Sequence, residues 1–391
     1  MTSIQGVPVR VSDTMASRSQ GFEHYTEDQN KAFEGSMGWH EEALAGNGPQ
    51  VYRIFGYAGT GKTSTAKRFA AHLKGQVCYA AFTGKAALQL RLHGCPEAQT
   101  LHSYMYHPLE MPDGTVRFMK DEESAFRDAA LIVIDEVSMV GEELGRDVLS
   151  FGKPVLVLGD PAQLPPISSE GFFTETEPDH LLTQIHRQAE DNPIVRIATQ
   201  ARHGETIDYG DYGACRVVPR GTLANEYVLS ADQLLVGKNA TREAMNNKVR
   251  RLLGKTSRLP TRGDRLVCLR NTQKDGQNLF NGALYRVCEF VSITKLHVTL
   301  EVISEDFPHK PRVTIKVRRE FFEGGAEELS FEDKRASESF TYGYALTVHK
   351  SQGSAWRNCI LWDESRSFRA DWQKWLYTGI TRASEQLTLV R

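Results

Sequence analysis

Gly56-Tyr57-Ala58-Gly59-Thr60-Gly61-Lys62-Thr63 follows the spacing G-x-x-x-x-G-K-[ST] without deviation. Upstream, Val51-Tyr52-Arg53-Ile54-Phe55 reads as a buried strand, and downstream Ser64 to Lys74 has the spacing of an amphipathic helix. Strand, glycine-rich turn and helix start therefore stand in the order that makes a phosphate cradle. Backbone N–H groups of Gly56, Ala58, Gly59, Thr60, Gly61, Lys62, Thr63 and Ser64 are its candidate contacts, and the helix N-terminus adds partial positive charge. Lys62 is placed to reach the β- and γ-phosphates, and Thr63 to hold Mg²⁺. The expected ligand is a nucleoside triphosphate.

Two further strand ends belong to the same chemistry. Leu131-Ile132-Val133-Ile134-Asp135-Glu136 is an apolar run that ends in two acids. Asp135 is the candidate second metal contact, and Glu136 the group that polarises the attacking water. Leu156-Val157-Leu158-Gly159-Asp160-Pro161-Ala162-Gln163 ends in polar groups, and Gln163 is long enough to meet a γ-phosphate or that water.

The 391 residues, 40% of them hydrophobic, suffice for two domains or slightly more. No membrane-length apolar run or secretory leader is evident. Cys78, Cys95, Cys215, Cys268, Cys288 and Cys359 form no C-x-x-C pair. That argues against a zinc site or disulfide framework and fits a reducing cytoplasm. The net charge of −2 does not advertise nucleic-acid binding, although Arg242 to Arg270 and His309 to Arg319 are locally basic.

Met1 to Gln20 reads as a mobile tail. Residues 21–181 alternate strand and helix, as a doubly wound α/β core does. His107 to Lys120, with Pro112-Asp113-Gly114 at its centre, reads as an inserted β-hairpin. Residues 182–260 and 339–391 read as a second α/β core resuming at Phe340. Between them, residues 261–338 carry short strands at Arg265–Leu269, Ala283–Phe290, Leu296–Val302 and Arg312–Val317, expected to form a small β-barrel.

Together these segments resemble superfamily 1 DNA helicases, most closely the RecD-like and Dda-like branch, from about Tyr25 to Arg391. The resemblance implies two RecA-like P-loop NTPase cores, with ATP and Mg²⁺ as cofactors. Tyr25-Thr26-Glu27-Asp28-Gln29 is similar to the adenine-recognition segment, with Gln29 reading the base. Phe82-Thr83-Gly84-Lys85-Ala86-Ala87 and Thr100-Leu101-His102-Ser103 are similar to segments that contact single-stranded DNA. Leu182-Thr183-Gln184-Ile185-His186-Arg187-Gln188 matches the motif whose arginine, here Arg187, reaches the γ-phosphate. Thr347-Val348-His349-Lys350-Ser351-Gln352-Gly353 matches the motif that couples DNA to nucleotide, with Gly353 in the nucleotide set. Tyr377-Thr378-Gly379-Ile380-Thr381-Arg382-Ala383 matches the last motif, with Arg382 as second arginine finger. Phe82 stands where a proline is common. Ser354-Ala355-Trp356 follows Gly353 where an acid is usual, so the resemblance does not extend to a ribose contact from that position.

The resemblance thus implies hydrolysis by Lys62, Asp135, Glu136 and Gln163 from one core and Arg187 and Arg382 from the other, completed when the cores close. Thr83, Lys85, His102, Ser103, Thr347 and His349 would line the DNA groove. Met111, Pro112, Asp113, Gly114 and Phe118 would form a pin that splits the duplex. The expected partners are single-stranded and forked duplex DNA, with 5′ to 3′ movement. A monomer is expected, working in replication, repair or recombination in a bacterial or phage-infected cytoplasm. The rival readings are a single-strand translocase that does not unwind, and a P-loop phosphotransferase acting on a small metabolite.

Overall fold

The strands Val51–Gly56, Gln76–Ala81, Ala129–Asp135 and Val155–Gly159 have few polar positions because both of their faces are covered. Tyr52, Ile54, Leu131, Val133, Leu156 and Leu158 turn to one apolar layer. Val51, Phe55, Ile132, Ile134, Val155 and Val157, their sequence neighbours, turn to the other. This is the period-2 alternation of a parallel sheet buried on both sides. With Gln99–Thr100 at one edge and His180–Leu182 at the other, they form a six-stranded, wholly parallel first sheet. The computed structural model describes residues 25–95, 97–110, 116–165, 171–185 and 191–391. The expected tail, the hairpin positions Met111, Pro112, Asp113 and Gly114, and Arg187 lie outside the described residues.

The helix Glu27–Leu44 starts from a capping box: Thr26 Oγ1 accepts from the Gln29 amide, and the Gln29 side chain accepts from the Thr26 amide. It packs beside the helix Lys62–Ala70, whose Phe69 is fully buried. Truncating such a ring to alanine costs about 3–5 kcal/mol. The helix after the phosphate loop ends at Ala70, four residues short of the expected Lys74. Its continuation tightens into i→i−3 bonds from His72 to Phe69 and from Leu73 to Ala70.

A second six-stranded sheet is built from Ala345–Thr347, Gln233–Val236, Trp356–Trp362, Ala383–Val390, Cys215–Val218 and Gly210–Asp211 in that order. Only the last pair is antiparallel. The helices Pro193–His203 and Trp372–Ile380 pack together against it, with Trp375 and Tyr377 among the largest fully buried side chains.

A third, antiparallel sheet of five strands orders Val313–Arg318, His297–Ser304, Leu284–Ile293, Arg265–Cys268 and Phe340–Tyr342. Val317 of one outer strand also forms an isolated parallel bridge with Glu338, which lies just before the strand Phe340–Tyr342. Phe340–Tyr342 corrects the sequence reading. It was expected to open the second α/β core, yet it completes this sheet, because its period-2 burial of Phe340 and Tyr342 fits a half-covered antiparallel edge. Tyr106–Glu110 and Val116–Lys120 pair antiparallel as a two-stranded hairpin. Tyr106 Oη bonds Asp147 and Lys120 Nζ bonds Ser150, so the hairpin base is bolted to the helix Glu142–Leu149 and its C-cap.

Candidate functional site

The phosphate loop turns through Gly59 (φ 80°) and Gly61 (φ 77°), conformations that side chains avoid. Gly61 is the N-cap of the helix Lys62–Ala70, so the first helical amides face the loop's interior. Lys62 Nζ donates to Gly56 O at 2.7 Å and Tyr57 O at 3.2 Å. Thr63 Oγ1 donates to Asp135 Oδ2 at 3.0 Å, which joins the two expected metal contacts across the sheet. Two protein oxygens suit Mg²⁺, which keeps most of its waters and takes few protein ligands.

Glu136 follows at φ 54°, a left-handed conformation unusual for its type and held by its own amide donating to Asp135 Oδ1 at 2.8 Å. Burial raises its carboxyl above the ordinary value. Arg382 opposes that shift, Asp135 adds to it, Lys62 opposes it and Asp160 adds to it. A carboxyl tuned upward by burial is suited to take a proton near neutral pH. Gln163 is buried at the end of the Val155–Gly159 exit, and its Oε1 has no hydrogen-bond partner among the described residues. An orphaned buried acceptor is what an added ligand or water would satisfy.

Gln29 is fully buried against the loop, with Nε2 donating to Thr60 O at 3.2 Å. It therefore ties the helix Glu27–Leu44 to the phosphate loop. Asp28, beside it, accepts from Thr183 N, Thr183 Oγ1 and Gln184 N. Its partial burial is outweighed by those bonds, and its carboxyl is held below the ordinary value.

Arg382 comes from the second sheet's side of the cleft. It is 5% exposed and donates to Thr378 O, Ser354 O and Thr381 Oγ1. Its charge opposes the upward shift that burial imposes on the Glu136 carboxyl. Sequence reasoning missed what stands beside it. Tyr377 Oη donates to Asp160 Oδ2 at 2.7 Å and accepts from the Ala58 amide at 2.7 Å. One buried hydroxyl thus links the phosphate loop, the third strand end and the second unit's last helix. Burial, with Asp160 next to it, pushes the phenol well above its ordinary range, so it stays protonated. The signal was available: a tyrosine in an apolar helix has to find a partner for its hydroxyl. Arg202 stacks on the Tyr57 ring at 3.5 Å, and Leu164 is held by Thr378 Oγ1 and Gln352 Nε2. Nothing local to those residues marked them.

The expected DNA set is placed differently. Thr83 Oγ1 and Thr100 Oγ1 cap the helices Gly84–Leu92 and Leu101–Met105, and Thr347 Oγ1 accepts from the Lys350 amide. Ser103 is exposed, and its hydroxyl lies 2.7 Å from that of Thr100. Lys85 was expected to line an open groove. It is instead 8% exposed, paired with Asp306 of the third sheet at 3.5 Å and 4.0 Å above the Trp356 ring of the second. Burial lowers its ammonium's pKa and Asp306 resists that shift. The groove reading overlooked that three units meet at Lys85, where Asp306 and the Trp356 ring return part of what the ammonium loses in leaving water. Burial also lowers His102 and His349. Gly353 (φ 70°) lies against Thr83, 2.8 Å from its hydroxyl to where a Cβ would stand, and not at the phosphate loop. Phe118 on the hairpin is 56% exposed.

Comparison with known proteins agrees with this layout. A family model described as an AAA domain matches residues 39–218, and one described as a UvrD-like helicase C-terminal domain matches residues 342–390. The ATP-dependent RecD2 DNA helicase of Deinococcus radiodurans is 29% identical over 364 residues, which cover 88% of this chain and 47% of that protein. The chain thus spans about half the length of that relative. The uncharacterized protein R530 of Acanthamoeba polyphaga mimivirus is 21% identical, with 88% and 96% covered. Among solved structures, Bacteroides Pif1 bound to single-stranded DNA superposes with a TM-score of 0.55 at 18% identity, covering 93% of this chain and 92% of that one. Candida albicans Pif1 does so with a TM-score of 0.52 at 17% identity, 94% of each chain being covered. In its motifs and in the order of its two matched family models the chain is similar to helicases of the RecD2 kind, and in its fold to the Pif1 structures.

Proposed function

We propose that this chain is an ATP-dependent DNA helicase that moves 5′ to 3′ along single-stranded DNA and opens duplex at a fork. The observation that supports it most is the contact of the second unit with the phosphate loop, through Tyr377 on Ala58 and Asp160. Lys62, Thr63, Asp135, Glu136 and Gln163 come from the first sheet, while Arg382 and Tyr377 reach it from the second. Bound ATP would exchange the Lys62 contacts on Gly56 and Tyr57 for phosphate oxygens. Mg²⁺ would be held by Thr63 and Asp135 and would neutralise charge on the β- and γ-phosphates. Glu136 takes the proton of the attacking water, Gln163 orients that water, and Arg382 meets the charge that develops. Arg187 is assigned the same task on its motif alone.

Residues 21–181 act as the first core, 182–260 with 343–391 as the second, and the third sheet as a small barrel between them. DNA lies across the capped strand ends at Thr83, Ser103 and Thr347, with His102 and His349 below them. The hairpin 107–120 is the pin, with its base fixed by Tyr106 and Lys120 and Phe118 free to press on the last base pair. The chain works as a monomer in the cytoplasm of a bacterial or phage-infected cell. No helix among the described residues is long and apolar enough to cross a membrane.

The test is ATP turnover with and without single-stranded DNA, followed by strand displacement from 5′- and 3′-tailed duplexes. Expected are DNA-stimulated turnover that Lys62→Ala abolishes and opening of the 5′-tailed duplex alone. A phosphotransferase would show turnover indifferent to DNA. Opening from the 3′ tail would overturn the polarity. Stimulated turnover without displacement would leave a translocase.

A further inference from the structure

Where the third sheet meets the first unit, a cavity of about 140 Å³ opens between Gly84, Thr100 and Ser103 on one side and Phe280, Phe307 and Lys310 on the other. We infer that this cavity seats one nucleobase of the bound single strand, stacked against the insertion's two phenyl rings. The inference rests on the DNA reading above and gives the inserted sheet a direct part in holding the strand.

Each wall is held in place. Gly84 has no side chain where a Cβ would stand 2.6 Å from the Phe280 ring, so that ring packs closely on the start of the helix Gly84–Leu92. Phe307 is fixed by its amide donating to Ser304 Oγ at 3.0 Å, and its carbonyl accepts from the Lys310 amide at 3.0 Å. The Lys310 ammonium covers one side of the Phe307 ring at 4.7 Å. Both rings line the cavity, and His309 packs edge-on against the Phe307 ring with centroids 6.2 Å apart. The neighbouring Lys85–Asp306 pair clamps this turn to the first unit.

The chemistry selects a base over other occupants. Phenyl rings offer nothing to a phosphate, and of the two cations on the lining Lys310 sits over the Phe307 ring while Arg91 donates its Nε to Ala98 O at 2.6 Å. Every base, in contrast, has a π-face that stacks without regard to sequence. The opposite wall is the Thr100–Ser103 hydroxyl pair, 2.7 Å apart, in which either oxygen can donate. Hydroxyls rotate to suit a donor or an acceptor, so this wall accepts the polar edge of any base. The cavity has the scale of one heterocycle, and it opens beside Thr83 and Ser103, where the strand is expected to pass.

The experiment uses the full chain and a 5′-tailed duplex whose junction fixes the register. A single abasic nucleotide is moved along the tail, and affinity is read by fluorescence anisotropy. The unsubstituted protein is expected to lose about 10-fold in affinity at one position of the scan. Phe307→Ala should show the same loss on intact DNA and a flat scan, because ring and base act as a pair and their losses do not add. Phe307→Trp should keep both the affinity and the dip, which separates loss of stacking from loss of fold. A dip that persists in Phe307→Ala, or no dip in the unsubstituted protein, overturns the base seat and leaves the helicase reading intact. Failure of the unsubstituted protein to bind the tail at all overturns both.

Discussion

The nucleotide site and the DNA face were read from the same kind of motif, yet the structure treats them differently. At the proposed nucleotide site, Thr63 bonds Asp135, and the charges of Asp135 and Lys62 act on Glu136. On the DNA face, Lys85 is sealed under Asp306 and Trp356, and the threonine hydroxyls are engaged at helix caps. The difference follows from how each surface is built. A phosphate cradle is a local backbone device that one contiguous stretch specifies. A groove across three units depends on partners hundreds of residues apart, and its shape belongs to the arrangement of those units.

The sharpest test of the shared site is its cross-cleft arginine. Arg382→Ala is expected to lower kcat about 10³-fold or more while nucleotide binding survives, since it acts on charge that appears only in the transition state. Arg382→Lys should not restore turnover, because an ammonium cannot make the three-way fork to Thr378, Ser354 and Thr381. Thermal melting alongside separates chemistry from unfolding. Normal turnover with DNA present would reduce Arg382 to a tie within the second unit.

Tyr377 is expected to show the next largest effect. Tyr377→Phe keeps the buried ring but strands the Ala58 amide and Asp160 Oδ2. Leaving such buried groups unpaired costs about 1–3 kcal/mol of stability. We expect kcat to fall about 10-fold, with KM for ATP changing less than about 2-fold, because the hydroxyl aligns two cores and binds no substrate. A change confined to KM would mean that Tyr377 only shapes the empty loop.

These two residues also show how much the sequence disclosed. Arg382 stood in a quoted motif. Tyr377, one turn earlier in the same motif, went unremarked, because its partners Ala58 and Asp160 are far away in sequence. The parallel strands of the first core were legible because burial on both faces leaves continuous apolar runs. The edge strand Phe340–Tyr342 was assigned to the wrong unit, since three residues carry no signal for which sheet will pair with them. Asp306 and Trp356 were invisible as partners of Lys85 for the same reason as Tyr377. Arg187 and the tip of the pin lie outside the described residues, so their roles still rest on motif and hairpin pattern alone.

A smaller effect tests whether the Lys85 seal competes with DNA. Asp306→Asn removes the carboxylate charge with little change of shape. If the seal opens when DNA arrives, single-strand affinity should rise about 5-fold, and the salt slope should steepen by about 0.7, one further phosphate contact. A fall in affinity with an unchanged slope would show that the ion pair builds the groove and does not guard it. The DNA face would then be as preassembled as the nucleotide site.

The smallest expected effect concerns the two histidines. Burial lowers the titration of His102 and His349 below the ordinary 6.5, so both are neutral at pH 7 and offer no charge to phosphate. The sign for stability follows from the folded value lying below the unfolded one. Their contribution is complete above about pH 6.5 and is lost as pH falls through that value toward the depressed folded one, because the unfolded chain binds the protons first. Single-strand affinity should therefore change less than about 2-fold more in the unsubstituted protein than in His102→Asn/His349→Asn between about pH 7.5 and pH 6.5. A histidine pair that met phosphates as a cation would instead tighten binding as pH falls, and the double variant would lose that dependence. Such a result would mean that the face opens to water when DNA binds, and that the contrast with the nucleotide site belongs only to the DNA-free chain.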